Sequence, residues 1–169
     1  MEHGFPGGRT LDESLEMARI LEAAGVDALN VDGGAYDAMD SVFPPTYLGD
    51  APFRHIAAAV KKVVSIPVMF TGNLTPENAE QALADGIADF VGSGRGVIAD
   101  PDWPNKVRKG QREDVRPCIR CNEGCVGRLL SSKALSCSVN PLVGLEAFTS
   151  LPKAEKPKRV VVIGGGPAG

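Results

Sequence analysis

Three times between residues 10 and 94, a stretch with helical apolar spacing leads through a short break into a run of strand-forming residues. The first, "TLDESLEMARILEAAG", sets Thr10 and Glu13 at capping-box spacing, places Leu11, Leu15, Ala18 and Leu21 at helical intervals, and stops at Gly25. "VDALNVDGG" follows as a short buried strand. The pattern recurs in "PFRHIAAAVKKVV" with "IPVMFTG", and in "TPENAEQALADG", with Pro76 in its first turn, followed by "ADFVGSG". Such spacing predicts an α/β fold in which parallel strands are joined by helical crossovers, in a (βα) barrel or an open doubly wound sheet.

The strand ends bear on that choice. Each closes in glycine or small polar residues: Asp32-Gly33-Gly34, Thr71-Gly72-Asn73 and Gly92-Ser93-Gly94-Arg95. In a barrel these ends form the active-site face, and the loops after the last strands hold phosphate. Gly72 and Gly94 would let backbone N–H groups approach an anion, and Arg95 would pair with it through its fork of donors. The plainer reading is that glycines only make tight turns. Two such loops in succession, one with an arginine, favour the phosphate site.

Past Trp103 the alternation stops. "PNKVRKGQREDVRP" is charged and reads as a last helix and loop, and then come the four cysteines of the chain, spaced C-x2-C-x3-C-x11-C at Cys118, Cys121, Cys125 and Cys137. No apolar run reaches the length of a membrane span, and the first residues lack the layout of a signal peptide. The expected compartment is therefore the cytoplasm. In a reducing cytosol, clustered cysteines are metal ligands more often than disulfide partners. Neither His3 nor His55 is near them in sequence. One tight trio with a remote fourth thiolate suits an iron–sulfur cubane, while zinc stays open on spacing alone. A net charge of −3 gives no electrostatic reason to expect nucleic acid.

At the end, "KPKRVVVIGGGPAG" joins a basic linker to an apolar strand, Val160 to Ile163, and to Gly164, Gly166 and Gly169 in G-x-G-x-x-G spacing. This is a dinucleotide fingerprint. Its glycines would bring a pyrophosphate to the N-terminus of a following helix, and neither that helix nor the acidic residue about 20 positions on falls within the chain.

Taken together, "VGSGRGVIADPDWPNKV", "RPCIRCNEGC", "CSVNP" and "RVVVIGGGPAG" resemble the old yellow enzyme-related NADH:flavin oxidoreductases with an iron–sulfur cluster, of the 2,4-dienoyl-CoA reductase, 2-enoate reductase and bile-acid enone reductase type. The resemblance implies the C-terminal part of a (βα)8 TIM barrel carrying FMN over residues 1–110, a [4Fe–4S] segment over 111–150, and a linker with the truncated start of a Rossmann-like FAD- and NAD(P)-binding domain over 151–169. It implies Cys118, Cys121, Cys125 and Cys137 as iron ligands. Gly72, Asn73, Gly94 and Arg95 become the FMN phosphate site, and Gly164, Gly166 and Gly169 the FAD fingerprint. Gly96 stands where the family often has proline. Tyr36 falls where the dienoyl-CoA reductase pattern has a catalytic histidine, so a phenol would donate there, or else only pack under the loop. That departure moves the expected substrate toward an enoate or enone.

The implied activity is NAD(P)H-dependent reduction of an activated C=C bond in a small unsaturated substrate, through FAD, [4Fe–4S] and FMN. The alternatives are an amine dehydrogenase of the same architecture, whose cysteine spacing tends to be shorter, or an electron-transfer module without catalysis of its own. No membrane or nucleic-acid partner is expected. The 169 residues alone are expected to be inactive, since an eight-stranded barrel takes roughly 250.

Overall fold

The computed structural model describes residues 6–149 and 153–166. Helix α1, Leu11–Ala23, starts where the capping box places it: Thr10 N–H donates to Glu13 Oε2 at 2.7 Å and Glu13 N–H to Thr10 Oγ1 at 3.3 Å. It ends before Gly25, which takes φ +90°. Strand β1, Leu29–Val31, is followed by the short helix α2, Met39–Val42, and by a 3-10 turn over Thr46–Leu48. Helix α3, Arg54–Lys61, leads to β2, Val68–Thr71. Helix α4, Pro76–Ala84, is capped by Thr75 and leads to β3, Phe90–Gly92.

The three strands are parallel and lie in chain order, β1-β2-β3, with Leu29 opposite Val68 and Met69 opposite Phe90. All three helix-to-strand steps are therefore as the sequence predicts. Strand pairing is reinforced by carboxylates at the strand starts. Asp89 Oδ2 accepts from Val68 N–H at 2.7 Å and from Lys61 Nζ at 2.6 Å, joining α3, β2 and β3. Glu22 Oε1 accepts from Ser65 N–H and Oγ and from Ile66 N–H, tying the end of α1 to the approach to β2.

The apolar faces of α3, α4 and the strands meet in one core. Phe53, Ile56, Ala57, Val60, Val68, Phe70 and Ala82 are buried there. Burying a side chain of the size of Phe70 or Ile56 contributes about 1.5–3 kcal/mol.

Beyond β3 run the helices α5, Gly94–Ala99, and α6, Trp103–Arg108, and then the chain becomes irregular. A five-residue π-type turn over Glu123–Gly127 and the single turn α7, Arg128–Leu130, are the helical parts of the cysteine segment. The terminal strand expected over Val160–Ile163 does not form. These residues have no strand partner among the described residues, and their side chains are exposed, Ile163 by 97%. A strand is stabilised by its ladder and by burying a face, and this segment has neither. Gly169 lies outside the described residues.

Candidate functional site

Because the strands are parallel, their C-terminal ends share one edge. The loops there, Asp32-Gly33, Thr71-Gly72-Asn73 and Gly92 to Gly96, enclose a cavity of about 280 Å³ with Trp103, Arg116, Cys118 and Arg120. Its floor is the ring of Phe53, 2% exposed. A Cβ on Gly33 would stand 2.6 Å from that ring, and one on Gly72 would stand 2.9 Å from it. Gly72 also takes φ +115°. These glycines are thus demanded by the aromatic floor and the turn, a reason that the strand-end pattern alone did not disclose. Gly94 differs: nothing lies within 4 Å of where its Cβ would be, so its surroundings are open to a ligand.

Asn73 adopts φ +48° and is held on all sides. Its Nδ2 donates to Gly49 O at 2.9 Å, its Oδ1 accepts from Arg95 Nη2 at 2.6 Å, and its carbonyl accepts from Arg120 Nη2 at 3.3 Å. Arg95 turns its guanidinium toward the cysteine segment. Nη1 donates to Asn122 Oδ1 at 2.6 Å and to Pro44 O at 2.9 Å. Burial pulls the Arg95 pKa down, opposed by the nearby sulfurs of Cys118, Cys125 and Cys121, while Arg120 adds to the lowering. An arginine stays cationic in a protein. The fork expected to face a phosphate is therefore engaged with protein acceptors, at the boundary between the strand-end loops and the cysteines.

Cys118, Cys121, Cys125 and Cys137 line a single cavity with Arg95, Asn122 and Ser138, and all four are free thiols. Left-handed backbone at Arg120 (φ +56°) and Asn122 (φ +59°) folds the C-x2-C-x3-C loop back on itself. Ser136 N–H donates to Gly124 O at 2.8 Å, bringing Cys137 to Cys125, and a Cβ on Gly124 would meet Ser136 O at 2.6 Å. Burial raises the Cys118 pKa, opposed by the Arg120 N–H 3.4 Å from its sulfur. The Ser138 hydroxyl, 3.4 Å from Cys121 Sγ, lowers the pKa of that thiol.

The asparagines beside the cysteines are tethers. Asn122 Nδ2 donates to Phe43 O at 2.8 Å, and the buried Asn140 donates to Ile98 O at 2.9 Å while its Oδ1 accepts from Leu142 N–H. Asp100, also buried, accepts from Lys106 Nζ at 2.6 Å, Arg116 N–H at 2.9 Å and Asp102 N–H at 3.2 Å.

The fit to a bound group differs between the two cavities. In the strand-end cavity the Trp103 Nε1 donor is buried without a hydrogen-bond partner, and the space at Gly94 is open, a setting that suits an acceptor-rich group such as phosphate. In the cysteine cavity no group of three or more His, Cys, Asp or Glu among the described residues is set to hold one metal ion. Four thiols around a shared space suit a multi-iron cluster, in which each sulfur binds a different iron.

Tyr36 lies in the loop after β1 at the same edge, but it is 82% exposed and does not line the cavity. Gly164 and Gly166 are exposed, and nothing among the described residues lies within 4 Å of where a Cβ on either would be. Phe53, Arg120 and Asp100 escaped the sequence reading. For Asp100 a signal existed, an acidic residue directly before Pro101 in the segment leading to α6.

The family described as NADH:flavin oxidoreductase / NADH oxidase matches residues 2–114. A NADH oxidase of Thermoanaerobacter brockii is 45% identical over 166 residues, covering 96% of this chain and 26% of that protein. A cinnamate reductase of Clostridium sporogenes is 42% identical over 163 residues, covering 96% of this chain and 24% of that protein. A solved 2-naphthoyl-CoA reductase complex superposes with a TM-score of 0.78 at 32% identity, over 83% of this chain and 22% of that one. The chain spans about a quarter of the length of the curated relatives it matches. No helix among the described residues is long and apolar enough to cross a membrane. With its parallel α/β arc, its strand-end cavity and these likenesses, the chain belongs to the NADH:flavin oxidoreductase / NADH oxidase family.

Proposed function

We propose that this chain is the flavin-to-cluster portion of an ene-reductase that uses NAD(P)H to reduce an activated C=C bond of an enoate, enone or enoyl-CoA. The observation that carries the reading is the shared wall: Cys118 and Arg95 line both the strand-end cavity and the cavity of the four thiols. When bound, FMN supplies hydride transfer to the double bond, and a [4Fe–4S] cluster with FAD supplies single-electron delivery from NAD(P)H.

The residues present fit those roles unequally. The loops at Gly72-Asn73 and Gly94-Arg95, with the unpartnered Trp103 Nε1, would hold the FMN phosphate end, and the ring of Phe53 packs against Gly33 and Gly72 beneath them. Cys118, Cys121, Cys125 and Cys137 would hold the cluster. Tyr36 is the proposed proton donor because it stands on the loop after β1, at the edge where the other two loops converge. Its exposure means that substrate would have to cover it. Gly164, Gly166 and Gly169 are proposed for FAD on their spacing alone. The cinnamate reductase and 2-naphthoyl-CoA reductase likenesses support an unsaturated carboxylate or thioester as substrate.

The test is anaerobic purification of the full-length protein that carries this chain, followed by flavin, iron and acid-labile sulfide analysis, with NAD(P)H-dependent turnover assayed on a cinnamate and, in parallel, on a secondary amine. The expected result is FMN, FAD, about four irons and four sulfides, with activity on the cinnamate. Cys137→Ser should lose iron and sulfide. Stoichiometric zinc without sulfide would refute the cluster, amine turnover alone would move the reaction class, and a Tyr36→Phe variant with unchanged kcat would remove Tyr36 from the mechanism.

A further inference from the structure

We propose that Arg95 is a positioning residue that couples the flavin loop to the cysteine loop, so that occupancy and reduction of one site are felt at the other. The inference rests on the function proposed above. Its basis is a closed circuit of polar contacts. The Arg95 fork joins three separate segments: Pro44 after α2, Asn73 after β2 and Asn122 between Cys121 and Cys125. Asn122 returns to Phe43, next to Pro44, and Arg120 of the cysteine loop returns to the Asn73 carbonyl and to Asp50.

Asn73 and Asn122 both hold left-handed backbone, a conformation that costs a non-glycine residue energy and persists only where surroundings fix it. Here the same guanidinium binds both side chains, beside the contacts of Asn73 to Gly49 and Arg120 and of Asn122 to Phe43. Moving the cysteine loop therefore moves an acceptor of Arg95, and through it the side chain of Asn73 in the flavin loop. The cation is also partly buried between the two cavities, where added negative charge on either side is stabilised more strongly than it would be in water. Reduction adds such charge, so Arg95 favours the reduced form of both groups.

The experiment compares the wild type with Arg95→Gln, Arg95→Lys and Asn122→Ala in the cofactor-loaded protein. It reads FMN dissociation by fluorescence and the cluster midpoint potential by redox titration. Arg95→Gln should weaken FMN by about tenfold or more, the scale of losing the charged contacts that hold Asn73 in the flavin loop, and shift the cluster to a more negative potential. Arg95→Lys should restore much of the potential, since the charge remains, but not the FMN affinity, since the fork is lost.

The distinctive outcome is at Asn122. Although it lies in the cysteine loop, Asn122→Ala should weaken FMN by several-fold, which a purely local phosphate contact by Arg95 would not produce. Unchanged FMN affinity in Asn122→Ala with the cluster intact, or an unchanged cluster potential in Arg95→Gln, would overturn the coupling while leaving the proposed function standing. A wild-type protein without flavin and cluster would instead overturn both.

Discussion

The arc of residues 11–99 and the cysteine segment of residues 115–142 are held together by different physics. In the arc, Val68, Phe70, Ile56 and Ala57 are almost completely buried, and helices close over parallel strands. In the cysteine segment Val126 is the one buried apolar side chain among the described residues. Position there is set by single polar tethers to the arc: Asn122 to Phe43, Asn140 to Ile98, Arg120 to Asp50, and Thr46 Oγ1 to Ile119 O at 2.7 Å. The arc can reach its fold by burying apolar surface. The cysteine segment inherits its place from the arc and leaves the final stabilisation to whatever its thiols bind, since metal binding free energy is folding free energy.

That dependence runs one way, and the largest expected effect tests it. Phe70→Ala removes a fully buried ring at the centre of β2 and should cost about 3–5 kcal/mol. Loss of the arc should take the cysteine segment with it, in a single thermal transition followed by both far-ultraviolet dichroism and cluster absorbance. A cluster that survived melting of the arc would mean that the segment folds by itself, and the ordering proposed between the two regions would be reversed.

The same contrast explains what could be read without coordinates. Helix starts at Thr10 and Thr75 and the strands β2 and β3 follow from local chemistry: a cap side chain, a period of apolar residues, a glycine stop. That the four cysteines gather around one cavity agrees with their spacing, which is itself a ligand pattern. What joins the regions was not. Arg95 was read as an anion fork, because its glycine neighbours make phosphate chemistry locally plausible; its acceptors are Asn122, 27 positions away, and Pro44, 51 positions away. Contacts at that separation leave no periodicity. The terminal run Val160–Ile163 marks the converse limit, since apolar β-branched residues satisfy a local strand pattern while the ladder that would make them a strand has to come from elsewhere.

A smaller perturbation should separate the regions. Asp100 is buried and binds the Arg116 N–H two residues before Cys118. Burial works against its ionisation, but Lys106 and the Arg116 and Asp102 amides outweigh that and hold its pKa below the ordinary value. A carboxylate with a depressed folded-state pKa stabilises above its unfolded pKa and loses that contribution as pH falls through the folded one. Asp100→Asn places an NH2 group against donors and should cost about 1–3 kcal/mol near neutral pH. The gap between wild type and variant should close below about pH 4. Chemical denaturation across that range measures it, and a gap independent of pH would show that the ionised carboxylate is not what holds Arg116.

The smallest effect sets the sharpest limit on how independent the regions are. Thr75 caps α4 by accepting from Asn78 N–H and donates its own N–H to Asn78 Oδ1 in return, and α4 packs on β3 within the arc. Thr75→Ala removes only the hydroxyl acceptor, at a cost of about 1 kcal/mol, or about 2–4 °C in Tm for a chain of this size. Among the described residues, no hydrogen bond joins the cysteine loop to that cap. Hydrogen exchange should therefore quicken at Glu77, Asn78 and Ala79, in the first turn that loses its acceptor, while Gly124 to Gly127 and Ser136 keep their protection in the cofactor-loaded protein. Equal acceleration at both places would mean that even local fraying of the arc is transmitted to the thiols. In that case arc and cysteine segment open as one cooperative unit, and the polar tethers bind them as tightly as the core binds the strands.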